Sequence, residues 1–123
     1  MIAHYVGDKQ ALLLGALREA MNHVARAMAD VAEGQSGMAR LIAILEAGMP
    51  LDAERAASCR IFYPFAAEGM NDSRLATELA SYYDWWRHEV ADVVENLQAD
   101  GHFARQDPSA LAETLVGLAE GLA

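Results

Sequence analysis

The chain has 123 residues, enough for one domain with a hydrophobic core but not for two. Eighteen acidic and nine basic side chains give a net charge of −9, which argues against nucleic-acid binding by this chain alone. A single cysteine, Cys59, excludes an intramolecular disulfide and has no Cys or His at metal-ligand spacing, so we expect it to be a small buried apolar residue and expect no metal site.

Several further classes are excluded by pattern. No run of about eighteen apolar residues is present, and no basic segment precedes a short apolar stretch, so neither a membrane span nor a signal peptide is predicted. The sequence contains no glycine-rich phosphate loop that would indicate a cofactor. We therefore expect a cytoplasmic protein with no cofactor and no membrane partner.

The first predicted helix has apolar residues every three or four positions from Leu13 to Val31, the spacing of an amphipathic helix. Asp8 stands where a helix N-cap belongs. A shorter second helix begins at Met38 and ends before Gly48. A third begins near Asp52, and we expect Pro64 to kink it.

The fourth helix is predicted to begin around Asp72 and to end at Gly101, with a long apolar stripe. Its stripe is Leu75, Leu79, Tyr82, Trp86, Val90, Val93 and Leu97. The dipeptide Asp107-Pro108 begins a fifth helix whose leucines repeat at four, three and four. The fold class is thus all-α, an antiparallel bundle of about five helices.

The opening segment IAHYVGDK, residues 2–9, resembles the end of the DNA-binding domain of TetR-type transcriptional regulators. The resemblance implies that residues 1–7 are a remnant of the recognition helix and that residues 8–123 form a ligand-binding and dimerisation domain. It also implies that His4, Tyr5 and Lys9 contact DNA phosphates in a full-length protein. These side chains can hold a phosphate without reading base sequence.

Later segments resemble the regulatory domain of the same family, among them the Asn71 helix start and the C-terminal GLAEGLA. The first two helices of the DNA-binding domain are absent from the chain, so we do not expect it to recognise an operator by itself. The resemblance implies a repressor in which a small-molecule effector enters the helical body, moves the linker helix over about residues 8–31 and releases DNA.

An effector pocket is expected between the kinked third helix, the fourth helix and the linker helix. Its predicted residues are Met21, Met28, Phe62, Tyr63, Phe65, Tyr82, Tyr83 and Trp86. An aromatic and methionine stripe is also what an ordinary core presents. The opening segment is especially similar to the choline-responsive branch of the family, which represses glycine betaine synthesis. A quaternary ammonium effector would suit aromatic rings near Asp84 and Glu89, while a purely apolar effector remains the other possibility.

A homodimer is expected, because the apolar faces of the last two helices are wider than a chain of this size hides. The predicted interface residues are Val90, Val94, Leu111, Leu115, Leu118 and Leu122. The small residues Ala112, Gly117 and Ala119 would let a second helix approach closely.

Two other functions are open to the same sequence. His23 follows Glu19 by four residues, and His88 follows Asp84 by four, so each pair shares a helix face that could serve a general base or a metal. No nucleophile or third ligand accompanies either pair, so we expect no enzyme. A stand-alone helical module that dimerises with a full-length regulator and sequesters it needs no ligand. A helix-turn-helix reading frame upstream of Met1 would favour the repressor.

Overall fold

The structure, a computed structural model, describes the backbone of residues 2–69 and 71–122 and the side chains of residues 9–69 and 71–122. Its five helices are α1 (Ile2–Ala32), α2 (Gly37–Ala47), α3 (Ala53–Gly69), α4 (Ser73–Ala99) and α5 (Pro108–Leu122). No strand occurs in this part of the chain. The predicted all-α bundle of about five helices is confirmed.

The starts of α4 and α5 follow local capping chemistry. The carboxylate of Asp72 accepts the backbone N–H of Arg74 at 2.8 Å, and the carboxylate of Asp107 accepts the backbone N–H of Ser109 at 3.1 Å. Pro108 is the first residue of α5, where its missing N–H costs nothing. Both predicted helix starts are confirmed.

The predicted start of the first helix is wrong. α1 runs without a break from Ile2 to Ala32, so Asp8 lies inside the helix and is not an N-cap. The residues on both sides of Asp8 can continue the helix, and continuing it keeps every backbone donor there paired. The helix ends before Gly34, whose φ of +77° is a conformation that favours glycine.

Pro64 lies inside α3, whose helical segment continues through it to Gly69. Proline has no N–H to donate to the carbonyl of Arg60, four residues earlier. Its ring is on an exposed position, so it does not obstruct packing of α3 on the bundle. The expected kink stays a prediction.

α4 is the central helix, because α1, α2, α3 and α5 all pack against it. The predicted stripe along α4 is confirmed. Its buried members are Leu75, Trp86, Val90, Val93 and Leu97, and Leu79 and Tyr82 are half-buried. The stripe of α1 is confirmed for Leu17, Met21 and Met28, but Val31 is 44% exposed and Ala32 is buried in its place.

Two apolar clusters result, which we name the large core and the small core. The large core joins α1, α2, α4 and α5 and comprises Met28, Ala32, Leu41, Ile44, Trp86, Val90, Val93, Val94, Leu97, Ala112, Val116 and Ala119. The small core joins α1, α3 and α4 and comprises Leu17, Met21, Phe62 and Leu75. Tyr82 and Tyr83 pack against both cores, so the candidate site lies where the two meet.

Candidate functional site

Aromatic rings from α3 and α4 form a continuous cluster at the junction of the two cores. The ring of Phe62 lies 5.5 Å from that of Tyr82 and 5.7 Å from that of Tyr63, measured between centroids. Tyr83 lies 5.4 Å from Tyr82 and 6.3 Å from Trp86. These separations are those of favourable edge-to-face and tilted pairs, so the rings stabilise one another.

A carboxylate from α5 completes this cluster. The Oε2 atom of Glu120 accepts a hydrogen bond from the hydroxyl of Tyr83 at 3.0 Å and a longer one from the hydroxyl of Tyr63 at 3.5 Å. Glu120 is half-buried, and no basic side chain lies within ion-pair distance of it among the described residues. The cluster therefore has a carboxylate held by neutral donors alone.

Burial sets the proton affinities in this cluster. It raises the pKa of Glu120, and the two tyrosine hydrogen bonds oppose that rise only in part. Burial and the nearby Glu120 carboxylate together raise the pKa of Tyr63 to about 12 and the pKa of Tyr83 further still. Both phenols therefore stay protonated at neutral pH and act as donors to Glu120.

Two adjoining cavities give access to the cluster. The outer cleft, about 430 Å³ in volume, lies between α1, α2 and the beginning of α3. The inner cavity, about 20 Å³, is lined by Phe62, Tyr63, Tyr82 and Glu120 and by residues of the outer cleft. A volume of this size holds about one water molecule, so any larger ligand must displace side chains or extend into the outer cleft.

Arg55 lies at the boundary of the two cavities and lines both of them. Its Nε donates to the carboxylate of Asp52 at 2.8 Å, and its Nη1 donates to the carbonyl of Glu46 at 3.1 Å. The Asp52 carboxylate also accepts the backbone N–H of Arg55 at 2.8 Å, and this bond and the guanidinium hold the pKa of Asp52 below its usual range. The helix cap of α3 thus positions Arg55.

Gly48 allows the end of α2 to approach the aromatic cluster. A Cβ atom at this position would lie 3.0 Å from Cη2 and 3.3 Å from Cζ2 of Trp86. Its carbonyl oxygen accepts the thiol of Cys59 at 3.7 Å. Cys59 is half-buried and lines the inner cavity, which corrects the expectation of a small buried apolar residue. Its partial burial raises the pKa of its thiol.

The structure brings together part of the predicted effector pocket. Phe62, Tyr63 and Tyr82 line the inner cavity. Tyr83 does not line it but donates a hydrogen bond to Glu120, which does. Trp86 is fully buried behind Gly48.

The other predicted pocket residues pack near the aromatic cluster but do not line the inner cavity. Phe65 packs against the small core. Met21 packs in the small core with Phe62, and Met28 packs in the large core with Trp86. Both are buried and border two other surface clefts, and their contact with an effector stays a prediction. The helical rotation of α1 turns Val24, and not the methionines, toward the inner cavity.

The predicted position of two carboxylates near the aromatic cluster is also wrong. Asp84 is exposed and forms an ion pair with Arg87 at 2.5 Å, on the outer side of α4. Glu89 borders a separate cleft beside Trp85. The carboxylate that contacts the aromatic cluster is that of Glu120 on α5. Sequence reasoning missed it because α5 lies far from α3 and α4 along the chain and meets the tyrosines only in the folded structure. The only local signal was that Glu120 directly follows Ala119, at the edge between the buried and the exposed face of α5.

Among the described contacts, neither histidine is hydrogen-bonded to the carboxylate four residues before it. Nδ1 of His88 lies 2.7 Å from the backbone carbonyl of Asp84, whose carboxylate is bound to Arg87. The carboxylate of Glu19 accepts from Arg26 at 3.3 Å, and His23 borders the outer cleft. Among the described residues, no three His, Cys, Asp or Glu side chains are grouped so that they could hold a metal ion.

The predicted dimer interface is divided. Val90 and Val94 have no exposed surface and belong to the large core, so their assignment to an interface is wrong: α4 buries both residues within its own chain. Leu111 and Leu115 are half-buried against the same core. Leu118 and Leu122 are 59% and 74% exposed, which agrees with a position in an interface with a second chain.

The small residues beside them divide in the same way. Ala112 and Ala119 are buried within the chain, contrary to the prediction that they admit a second helix. Gly117 and Gly121 have open space where a Cβ would stand. Together with Leu118 and Leu122 they form the outward face of α5, a name we use for these four residues.

Of the predicted phosphate-binding residues, only Lys9 has a described side chain, and it is exposed. His4 and Tyr5 lie outside the residues whose side chains the structure describes. In the described part of the chain, no helix has the length and apolar character needed to cross a membrane.

Comparison with known proteins agrees with this architecture. The family model of the BetI-type transcriptional repressor C-terminal domain matches residues 37–123, the greater part of the chain. A comparison with curated proteins found no match. The resemblance to TetR-type regulators is thereby confirmed for the segment that contributes α2 to α5. The chain belongs to the TetR-type regulators, as a C-terminal domain of the BetI-type repressors.

Proposed function

We propose that the chain is the ligand-binding and dimerisation part of a one-component repressor and that its effector binds at the inner cavity. One observation carries this proposal: the Glu120 carboxylate is half-buried among aromatic rings and is held by two neutral hydroxyls, with no cation paired to it in the described residues. A buried carboxylate without a cation is costly for a protein to keep. A ligand that supplies the missing charge would offset that cost.

The effector that suits this arrangement is a small organic cation, such as a quaternary ammonium. Tyrosine, phenylalanine and tryptophan faces attract a cation by about 0.5–2 kcal/mol per contact. Glu120 adds direct charge attraction in a partly desolvated position, where the attraction is stronger than in water. A purely apolar effector would leave the carboxylate uncompensated, so we favour the cation.

The outer cleft supports a route by which such a ligand could act on α1. Its walls include His23, Val24 and Asp30 of α1, so a ligand in the cleft touches the helix that precedes the matched domain. A ligand shifts an equilibrium only through different affinity for two arrangements. We propose that the effector binds better to the arrangement of α1 in which operator DNA is released from the full-length protein. In the DNA-bound arrangement, His4, Tyr5 and Lys9 would contact the DNA phosphates.

The outward face of α5 supports a homodimer. Leu118 and Leu122 are among the most exposed large apolar side chains of the chain, and Gly117 and Gly121 beside them leave space for a second helix. Two-fold dimers that pair the same surface on both chains are the commonest assembly.

The direct test is calorimetric titration of the chain with tetramethylammonium at neutral pH. We expect saturable binding that weakens at least about tenfold in Glu120→Gln, because a charged partner becomes neutral. Glu113→Gln is the matched control, since Glu113 is an exposed carboxylate on the same helix and should leave binding unchanged. No binding, or equal loss in both variants, would refute the effector site.

Coupling to α1 is tested on the same complex. Tetramethylammonium should change the amide hydrogen exchange of α1 around Val24. Exchange that changes only in α3 to α5 would contradict a signal through α1.

The second candidate function is the interaction module that sequesters a full-length regulator. The outward face of α5 favours it equally, because sequestration needs only a dimerising surface. A chain that dimerises and yet binds no cation would support this module and not the repressor.

A further inference from the structure

One ion pair connects α1 to α4. The Nε and Nη2 atoms of Arg18 both donate to the same carboxylate oxygen, Oε1 of Glu78, at 3.0 Å and 2.6 Å. The other described ion pair of α1, between Arg26 and Glu19, joins two residues of α1 itself. In the described part of the chain, no other side chain of α1 makes a hydrogen bond or an ion pair to another helix.

The Arg18–Glu78 pair lies at the edge of the small core. Leu17, next to Arg18, and Leu75, three residues before Glu78, are both buried in that core. The side chains of Arg18 and Glu78 are 55% and 28% exposed. An ion pair at this exposure contributes little to global stability, so it can open while the small core stays intact.

Beyond the ion pair, two surface clefts lie between α1 and α4. The first, about 310 Å³ in volume, is lined by Met21 and Ala25 of α1 and by Trp85 of α4, among others. The second, about 400 Å³, lies between α1, α2 and α4 and is lined by Met28 and Ala29 of α1 and again by Trp85. Small alanine side chains thus stand on α1 where Trp85 stands on α4, and the two helices do not close against each other there.

Helical geometry places the ion pair and these clefts on one line of contact. Glu78 precedes Trp85 by seven residues, which is about two turns or about 10 Å along α4, so both residues lie on the same face. Arg18 precedes Ala25 by the same number of residues on α1. We name this line, from the Arg18–Glu78 pair through the two clefts, the α1–α4 seam. The ion pair closes one end of the seam.

We propose that Arg18 and Glu78 form a latch on the α1–α4 seam. When the latch is closed, it holds α1 against α4. When it is open, the two helices separate, the clefts widen and solvent reaches the sulfur atoms of Met21 and Met28. Because both charged groups are partly exposed, dissolved salt weakens their attraction and shifts the latch toward the open state. The latch involves no residue that lines the inner cavity, so it goes beyond the proposed effector site.

Oxidation of methionine by hydrogen peroxide measures the opening, since the sulfur must meet the reagent. Met21 and Met28 are 7% and 2% exposed, so they should oxidise slowly in the wild-type chain. Arg18→Gln and Glu78→Gln should each raise the initial oxidation rate of both methionines about twofold to fivefold, the change in open population expected from losing an exposed ion pair. Mass spectrometry of peptides after brief exposure gives the rate at each methionine.

Three controls separate the latch from other causes. Glu19→Gln breaks the ion pair within α1 and should leave both rates unchanged. The double variant Arg18→Glu with Glu78→Arg reverses the two charges and re-forms the pair, so it should restore rates close to those of the wild type. Met49 is half-buried and lines neither cleft, so its rate should stay the same in every variant.

Salt provides a second test of the latch. Sodium chloride at about 1 M should raise the rates of Met21 and Met28 in the wild type toward those of Glu78→Gln, and should change the variant little. Hydrogen peroxide is uncharged, so salt does not alter its attraction to the protein.

The latch would be overturned by equal rates in the wild type and the single variants, by no recovery in the double variant, or by a wild type that does not respond to salt. An equal rise at Met49 would show that the whole bundle loosens, and this result would also overturn it. No effector is added in these measurements, so their outcomes do not depend on the proposed effector site.

Discussion

The two cores of the bundle differ in what they contain and in what they can do. The large core is made of aliphatic side chains and Trp86, and polar and charged residues are absent from its described members. The small core has only four buried residues, and its junction with the large core holds tyrosine hydroxyls, a carboxylate and a cavity. The large core has the composition for stability, and the junction has the composition for binding.

The difference teaches how a small domain can combine a stable body with a costly polar group. Of the twelve buried residues of the large core, α4 contributes five, and the others come from α1, α2 and α5. The half-buried Glu120 carboxylate lies at the junction and is not a member of either core. Substitutions in the large core should therefore change mainly the free energy of unfolding, and substitutions at the junction should change mainly ligand binding.

The largest expected effect is in the large core. Leu97→Ala should lower the free energy of unfolding by about 3 kcal/mol, because Leu97 is 1% exposed and its removal leaves a cavity between α4 and its neighbours. Urea denaturation measures the change. Leu12→Ala is the control, since Leu12 is 75% exposed and should change the free energy by less than about 0.5 kcal/mol. Equal losses in the two variants would contradict the described core.

A smaller effect is expected where α2 meets Trp86. Gly48→Ala should destabilise the chain by about 1–2 kcal/mol, because the new Cβ would lie 3.0 Å from the Trp86 ring and the ring must move. Gly15→Ala is the matched control: its Cβ meets nothing within 4 Å, and alanine should stabilise α1 by about 0.5–1 kcal/mol. Thermal unfolding followed by circular dichroism gives both signs. Stabilisation by both substitutions would show that the Gly48 contact is loose.

At the junction, the expected effect on stability is small and depends on pH. Burial raises the pKa of Glu120 in the folded chain, so the folded state binds this proton more tightly than the unfolded state. Its contribution to stability is present below the unfolded pKa and is lost as pH rises through the raised folded pKa. Glu120→Gln should remove this loss.

Urea denaturation of the wild type and of Glu120→Gln from about pH 4 to about pH 8 gives the comparison, since the ordinary glutamate pKa lies near the lower limit. The stability of the wild type should fall relative to the variant as pH rises. A wild type that gains stability relative to the variant over this range would mean that the tyrosine bonds outweigh burial.

The smallest effect on the fold of each chain is expected at the outward face of α5. Leu118→Glu should leave the helical content unchanged, because Leu118 is 59% exposed, but should prevent dimer formation by placing charge in an apolar interface. Sedimentation velocity of the wild type and the variant measures the association. Thr114→Glu, an exposed position one turn earlier, should keep more of the dimer. A wild-type chain that stays monomeric at high concentration would exclude this interface.

Sequence periodicity was sufficient for the five helices and for the buried stripe of α4, because both depend on spacing within one helix. It was insufficient for the partners of each face. Val90 and Val94 occupy apolar positions that suit an interface or a core equally, and only the packing of α5 on α4 decides between them. Aspartate is a common N-cap residue, but Asp8 could cap α1 only if the helix began there, and α1 begins before it.

The candidate site was predicted in its aromatic part and missed in its charged part. Phe62, Tyr63 and Tyr82 follow from the stripes of α3 and α4. Glu120 and Arg55 come from other helices, and their approach to these rings depends on tertiary packing that no local spacing encodes. Asp84 was attractive as a neighbour in sequence, yet its helical direction turns it outward to Arg87.

The contrast between the neighbouring tryptophans has an optical consequence. Trp86 is 1% exposed and its ring edge lies close to Gly48 at the wall of the inner cavity, whereas Trp85 is 36% exposed and lines two surface clefts beside α1. An indole in apolar surroundings emits at shorter wavelength than one in water, so the two fluorophores report separately. With Trp85→Phe as background, the emission of Trp86 becomes an internal reporter of occupancy at the aromatic cluster, without any added dye.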